Sequence, residues 1–133
     1  NPGLESGLMI LQYSAAALVS RNKQRTVPSS TDSIDSSAGQ EDHVSMGANA
    51  ATDLIEVING VWKIVSMELV CAIRSIESGE RESSKLIQDF INSYRSVYSS
   101  PKGDANLSEE INAAENFLRD TLIEDSEFLI FND

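Results

Sequence analysis

From Val44 to about Ser78 the chain runs for roughly thirty-five residues without a proline, long enough to span about 50 Å as a helix. Leu54, Ile58, Val61, Val65, Leu69, Ala72 and Ile76 recur at helical spacing along it, and Val57, Ile64 and Ile73 broaden the stripe. A single helix of this length exceeds what one small globular domain uses. It points to a long bundle or to the core of an oligomer. Gly60 inside it costs only about 1 kcal/mol relative to alanine, and Trp62 reads as a packing residue.

The remaining segments are also helical. Asn1-Pro2-Gly3 is a turn, after which Leu4, Leu8, Leu11, Ala15 and Leu18 form one stripe. Met9, Ile10, Ala16, Ala17 and Val19 fill the other faces, which predicts an interior helix. The cations of Arg21 to Arg25 suit its C-terminal end. Thr26 to Gln40 is a polar loop, longer than an ordinary connection. Ser78-Gly79-Glu80 predicts a C-cap for the long helix.

A third helix carries Leu86, Ile87, Phe90, Ile91, Tyr94, Val97 and Tyr98, with Lys85, Gln88, Asp89, Asn92 and Arg95 on a polar face. After a turn at Ser99 to Asp104, Asn106 and Glu109 fit a capping box. The fourth helix follows with Ile111, Ala114, Phe117, Leu118 and Leu122, and then an acidic tail bearing Phe128, Leu129 and Phe131. No strand or repeat is visible, so the fold class is all-α. Residues 1–78 are expected to hold the long core helices with a loop at 26–43, and residues 79–133 the outer helices and tail.

Ten basic against twenty-one acidic side chains give a net charge of −11. That balance argues against nucleic-acid and anionic-membrane binding, which need clustered Lys and Arg. The single cysteine, Cys71, gives no disulfide framework, suits a reducing cytosol and sits in an apolar helical pattern. The longest apolar run, Leu8 to Val19, is too short to span a bilayer.

Chemistry-bearing groups concentrate at Gln40-Glu41-Asp42-His43, where the loop meets the long helix. Three readings compete. A metal site is disfavoured, because consecutive residues rarely converge on one ion and no second histidine or spaced cysteine completes a set. A structural reading makes Asp42 the N-cap of the long helix and has His43 satisfy a nearby backbone group. In an active-site reading, a carboxylate at a helix entry, oriented by adjacent amide and acid groups, pairs with a cationic or imidazole-bearing ligand or moves a proton.

Two strings bear on this choice: Asn1-Pro2-Gly3-Leu4-x-Ser6-Gly7-Leu8-Met9-Ile10-x-Gln12, and Ser37-Ala38-x-Gln40-Glu41-Asp42-His43-Val44-Ser45-Met46-Gly47. Together with Ala15 to Ser20, Asn22-Lys23, Pro28 and Asp32-Ser33 between them, they resemble the histidine ammonia-lyase family. The resemblance is close over Asn1 to Gly47 and weaker to about Leu122. It implies the elimination of ammonia from L-histidine to give urocanate, in a cytoplasmic homotetramer built on a bundle of long helices.

It also implies a methylideneimidazolone electrophile, which such enzymes make from an internal Ala-Ser-Gly. This chain has none; Glu5-Ser6-Gly7 and Glu77-Ser78-Gly79 are the nearest strings. By resemblance the chain is therefore the C-terminal part of a longer lyase, inactive alone, with the electrophile on the missing N-terminal part.

Glu41 matches the family's active-site glutamate, and Gln40 its neighbouring amide. His43 and Asp42 belong to the motif in orienting roles. Related phenylalanine and tyrosine lyases and aminomutases tend to have Asn-Gln-Asp here, whereas a carboxylate at Glu41 suits an imidazole substrate. Gly39 and Glu5 each stand where the family usually has asparagine. The rival from another class is a non-catalytic helical interaction module on the same scaffold.

Overall fold

The computed structural model describes residues 7–79, 82–101 and 105–129, with side chains described as far as Thr121. It contains four helices: α1 (Met9–Gln24), α2 (Gly47–Ser78), α3 (Lys85–Val97) and α4 (Ser108–Leu129). Between α1 and α2 lie two short 3₁₀ turns, Ser29–Thr31 and Ser37–Gly39. Among the described residues the only β pairing is an isolated antiparallel bridge between Ser36 and Glu41. The all-α expectation holds. None of the described helices is long and apolar enough to cross a membrane.

The long helix forms as its periodicity requires, over 32 residues. It begins at Gly47 rather than near Val44. Asp42 is therefore not its N-cap, and the physical cause lies in the loop. Ser33 Oγ accepts from the Val44 backbone N–H at 2.9 Å and donates to the Val44 carbonyl at 3.1 Å. Both backbone groups of Val44 are thus committed to the loop, and the helix starts only beyond it. Ser45 Oγ accepts from the Gly47 N–H at 3.3 Å instead.

At the other end α2 stops at Ser78, where Gly79 N–H donates to the Ile76 carbonyl at 3.1 Å. The remainder of the expected cap, Glu80, lies outside the described residues, as do Asn1 to Ser6, Lys102 to Asp104 and Ile130 to Asp133. Ser84 caps α3, accepting from Ile87 N–H at 3.4 Å. Asn106 Oδ1 accepts from Ser108 N–H at 3.1 Å at the start of α4.

The chain divides into two compact units. The first comprises residues 1–15 and 62–133. Its core gathers Met67, Val70 and Ile73 of α2, Tyr94 of α3 and Ala114 of α4. Phe117 meets Phe90 and Tyr94 edge-on, with ring centroids 5.5 and 5.4 Å apart. Trp62 is a packing residue as expected, with the Arg119 guanidinium 4.7 Å over its ring. Half-buried Cys71 has its thiol pKa pushed up by burial, which makes it a poor nucleophile.

The second unit is residues 16–61. Here Gly60 has a use that its helix cost concealed. A Cβ at that position would stand 2.6 Å from Asn22 Oδ1, so glycine lets the Asn22 amide lie against α2. From there Asn22 Nδ2 donates to the Val57 carbonyl at 3.3 Å.

The interior-helix expectation for α1 is not met within this chain. Leu11 is buried, but Met9, Ile10, Tyr13 and Val19 are 42–65% exposed. The first half of α2 shows the same pattern, with Leu54, Ile55, Ile58 and Val61 45–59% exposed. Among the described residues, both helices leave large apolar side chains exposed.

Candidate active-site loop

The loop from Arg25 to Met46 belongs to the second unit and is tied down at intervals. Arg25 pairs with Asp53 at 2.8 Å and Glu56 at 3.6 Å, anchoring the loop's first residue to α2. Pro28 starts a 3₁₀ turn, its carbonyl accepting from the Thr31 hydroxyl at 2.8 Å and the Thr31 N–H at 3.2 Å. Ser33 then grips Val44 as described, closing the loop's distal part on itself.

Within that distal part the chain reverses between Ser36 and Glu41. Ser36 N–H donates to the Glu41 carbonyl at 2.9 Å, and Glu41 N–H donates back to the Ser36 carbonyl at 3.2 Å. Three consecutive residues at the tip have left-handed backbones: Ser37 (φ 56), Ala38 (φ 55) and Gly39 (φ 80). Two of them are not glycine, and each such residue costs about 1–2 kcal/mol. Strain of this kind persists where the surrounding bonds over-determine it, and the Ser36–Glu41 bridge is that constraint. The Gly39 departure also gains a reason, since glycine and asparagine are the residues that tolerate a left-handed backbone.

Glu41 emerges from this turn exposed, with its carboxylate Oε2 accepting from Ser36 Oγ at 3.2 Å. Gln40 precedes it, exposed and in a right-handed conformation. Asp42 is exposed in the following bend. His43 is also exposed and lines a small open cavity of about 200 Å³ with Asp32, Ser45, Met46 and Ala50. Neither Gln40 nor Glu41 lines that cavity, so the four motif residues do not converge on one point. Among the described residues no group of acidic, histidine or cysteine side chains is arranged to hold a metal.

The densest polar cluster elsewhere among the described residues was not singled out by the sequence. In the first unit Glu110 is fully buried at the start of α4. It accepts from Arg74 of α2 at 2.5 Å, from Arg95 of α3 at 3.3 Å, and from the Ser100 hydroxyl. Burial pushes its carboxyl up, but the bonds from Arg74, Ser100 and Arg95 and the Arg74 charge outweigh that, holding it below the usual carboxylate range. Arg95 also forks onto Glu77, with both bonds at 2.7 Å. Its side chain is only 18% exposed, so it is no part of a solvated polar face. Tyr94 OH donates to the Glu110 carbonyl at 3.4 Å, and burial raises the phenol to about 12. A carboxylate this enclosed and this well satisfied holds helices together.

Of the two near-matches to Ala-Ser-Gly, only Glu77-Ser78-Gly79 lies wholly within the described residues. Glu5 and Ser6 lie outside the described residues. Ser78 closes α2 with its hydroxyl on the Ser75 carbonyl at 3.1 Å, Gly79 N–H is committed to Ile76, and Glu77 is held by Arg95. The backbone that ring closure would need is engaged in ending a helix.

The chain belongs to the aromatic amino acid lyase family, whose sequence profile matches residues 1–96. The relatives it resembles are histidine ammonia-lyases. That of Geobacillus kaustophilus is 42% identical over 118 residues, covering 88% of this chain and 23% of the relative. That of Bacillus subtilis is 40% identical over 127 residues, covering 94% and 25%. The crystal structure of histidine ammonia-lyase from Trypanosoma cruzi superposes with a TM-score of 0.83 at 37% identity, covering 92% of this chain and 24% of that one. The chain therefore spans about a quarter of the length of each of these relatives.

Proposed function

We propose that this chain supplies one wall of the active site of a lyase that eliminates ammonia from L-histidine to give urocanate. The observation that carries the reading is the identity of 40–42% to histidine ammonia-lyases over 88–94% of the chain. The site geometry supports it, because the one carboxylate of the motif that is braced from outside its own residue is Glu41. Glu41 accepts the substrate's imidazole N–H, a charge-assisted bond that a neutral amide could match only weakly. Gln40 contacts the same ring from beside it, and His43 and Asp42 orient the loop's return to α2.

The methylideneimidazolone, which serves as the electron sink when bound, belongs in this reading to the longer polypeptide. The isolated chain is inactive for that reason. The lyase is a cytoplasmic homotetramer, and the exposed stripe of Leu54, Ile58, Val61 and Val65 on α2 supports an assembled form.

The test is a substrate comparison with the full-length lyase. It should release ammonia from L-histidine with a kcat/KM at least about a hundredfold above that for phenylalanine or tyrosine, the discrimination expected of a site built to bond a ring N–H. The isolated chain should give no product with any of them. Preference for phenylalanine or tyrosine would move the enzyme to the related lyases, and inactivity on all three would favour a non-catalytic helical module.

A further inference from the structure

Beyond Glu41 itself, the geometry points to Ser36 as the positioning residue that fixes which oxygen of the Glu41 carboxylate meets the substrate. The inference rests on the reading of Glu41 as the imidazole acceptor. Ser36 faces Glu41 through three bonds. Two are backbone bonds, at 2.9 and 3.2 Å, and they lock the two residues opposite each other across the turn. The third runs from Ser36 Oγ to Glu41 Oε2 at 3.2 Å.

A glutamate side chain has three rotatable bonds, and one exposed on a loop samples many rotamers. The hydroxyl narrows that freedom by bonding Oε2. Oε1 takes no hydrogen bond from any described residue, and it is left as the acceptor for one incoming N–H. The carboxylate is thereby presented as a single directed acceptor rather than as a mobile charge. Pre-orientation of this kind matters because a bond formed at the reacting substrate gains most when its acceptor need not reorganise.

The local backbone makes the point testable without dismantling the turn. Ser36 is extended, with φ −138 and ψ 179. A β-branched residue is at ease there, so Ser36→Thr keeps the backbone bonds and the hydroxyl. Ser36→Ala keeps the backbone bonds and deletes only the hydroxyl.

The experiment is a double-mutant cycle in the full-length lyase with L-histidine as substrate. Kinetics and thermal midpoints would be measured for wild type, Ser36→Ala, Ser36→Thr, Glu41→Gln and Ser36→Ala with Glu41→Gln. Ser36→Ala should lower kcat/KM about tenfold, the scale of a bond to a charged group, with its thermal midpoint unchanged. Ser36→Thr should restore activity to within about threefold. In the Glu41→Gln background the Ser36→Ala loss should largely vanish, since contacts acting through one group are not additive.

An undiminished Ser36→Ala loss in that background, or a loss that Ser36→Thr does not rescue, would overturn the positioning role. So would full activity in Ser36→Ala alongside a crippled Glu41→Gln, which would leave the reading of Glu41 standing. Full activity in Glu41→Gln would sink that reading itself.

Discussion

At the scale of single residues, the loop tip concentrates cost where the motif needs precision. Ser37, Ala38 and Gly39 are all left-handed, and the turn they make puts Glu41 directly opposite Ser36. Gly39 has open space where a side chain would go, with nothing within 4 Å, so a substitution there tests backbone strain alone. Gly39→Ala should destabilise the turn by about 1 kcal/mol, whereas Gly39→Asn should cost less because asparagine tolerates this conformation. In the full-length lyase, turnover of L-histidine should fall more for the alanine variant than for the asparagine variant. The reverse order would mean that the turn is not held in this conformation. The strain was not legible in advance. The string Ser36 to Gly39 looked like loop composition, and only the paired backbone bonds show that non-glycine residues are forced to positive φ.

At the scale of elements, α4 is held to α2 and α3 by one buried carboxylate and two arginines. Arg74 and Glu110 are thirty-six positions apart, and nothing in local spacing announces such a pairing. Glu110 follows Glu109 in the first turn of α4 and carries no local mark that sets it apart, and the spacing put Arg95 on a polar face. The helices themselves were readable because hydrophobic periodicity is a local signal. The cap of α2 was misplaced because the bonds that delay it come from Ser33, eleven residues upstream.

Glu110→Gln should loosen α4 by about 3 kcal/mol, the lower range for breaking a buried pair while leaving its charged partners in place. Amide hydrogen exchange across 108–129 would report it. The pH dependence has a definite sign. The folded-state pKa of Glu110 is depressed below its ordinary value of 4.5, so its ionised form contributes stability above that pH. The contribution is lost as pH falls through the lower folded value. The gap in protection between wild type and Glu110→Gln should therefore be full at neutral pH and shrink below about pH 4.5. A gap that does not depend on pH would show that the carboxylate's charge is not what docks the helix.

At the scale of the whole molecule, the chain carries a well-braced loop and much uncovered apolar surface on α1 and the first half of α2. Both fit a polypeptide whose relatives are about four times as long. The sequence announced the family through two motifs in order, and it announced the 32-residue helix α2 through one very long periodic run. It could not show that Glu41 and His43 face different surroundings, because adjacent residues in a loop share no fixed geometry. His43 borders a small cavity, while Glu41 is held by Ser36.

The central claim, that Glu41 is the residue through which this chain takes part in catalysis, is tested most directly by Glu41→Gln in the full-length lyase. Steady-state release of urocanate from L-histidine should fall at least about a hundredfold, the usual scale for removing a positioned acid–base or charge-pairing group. The thermal midpoint should be unchanged, since Glu41 is exposed and supports no core. Turnover equal to wild type would contradict the account.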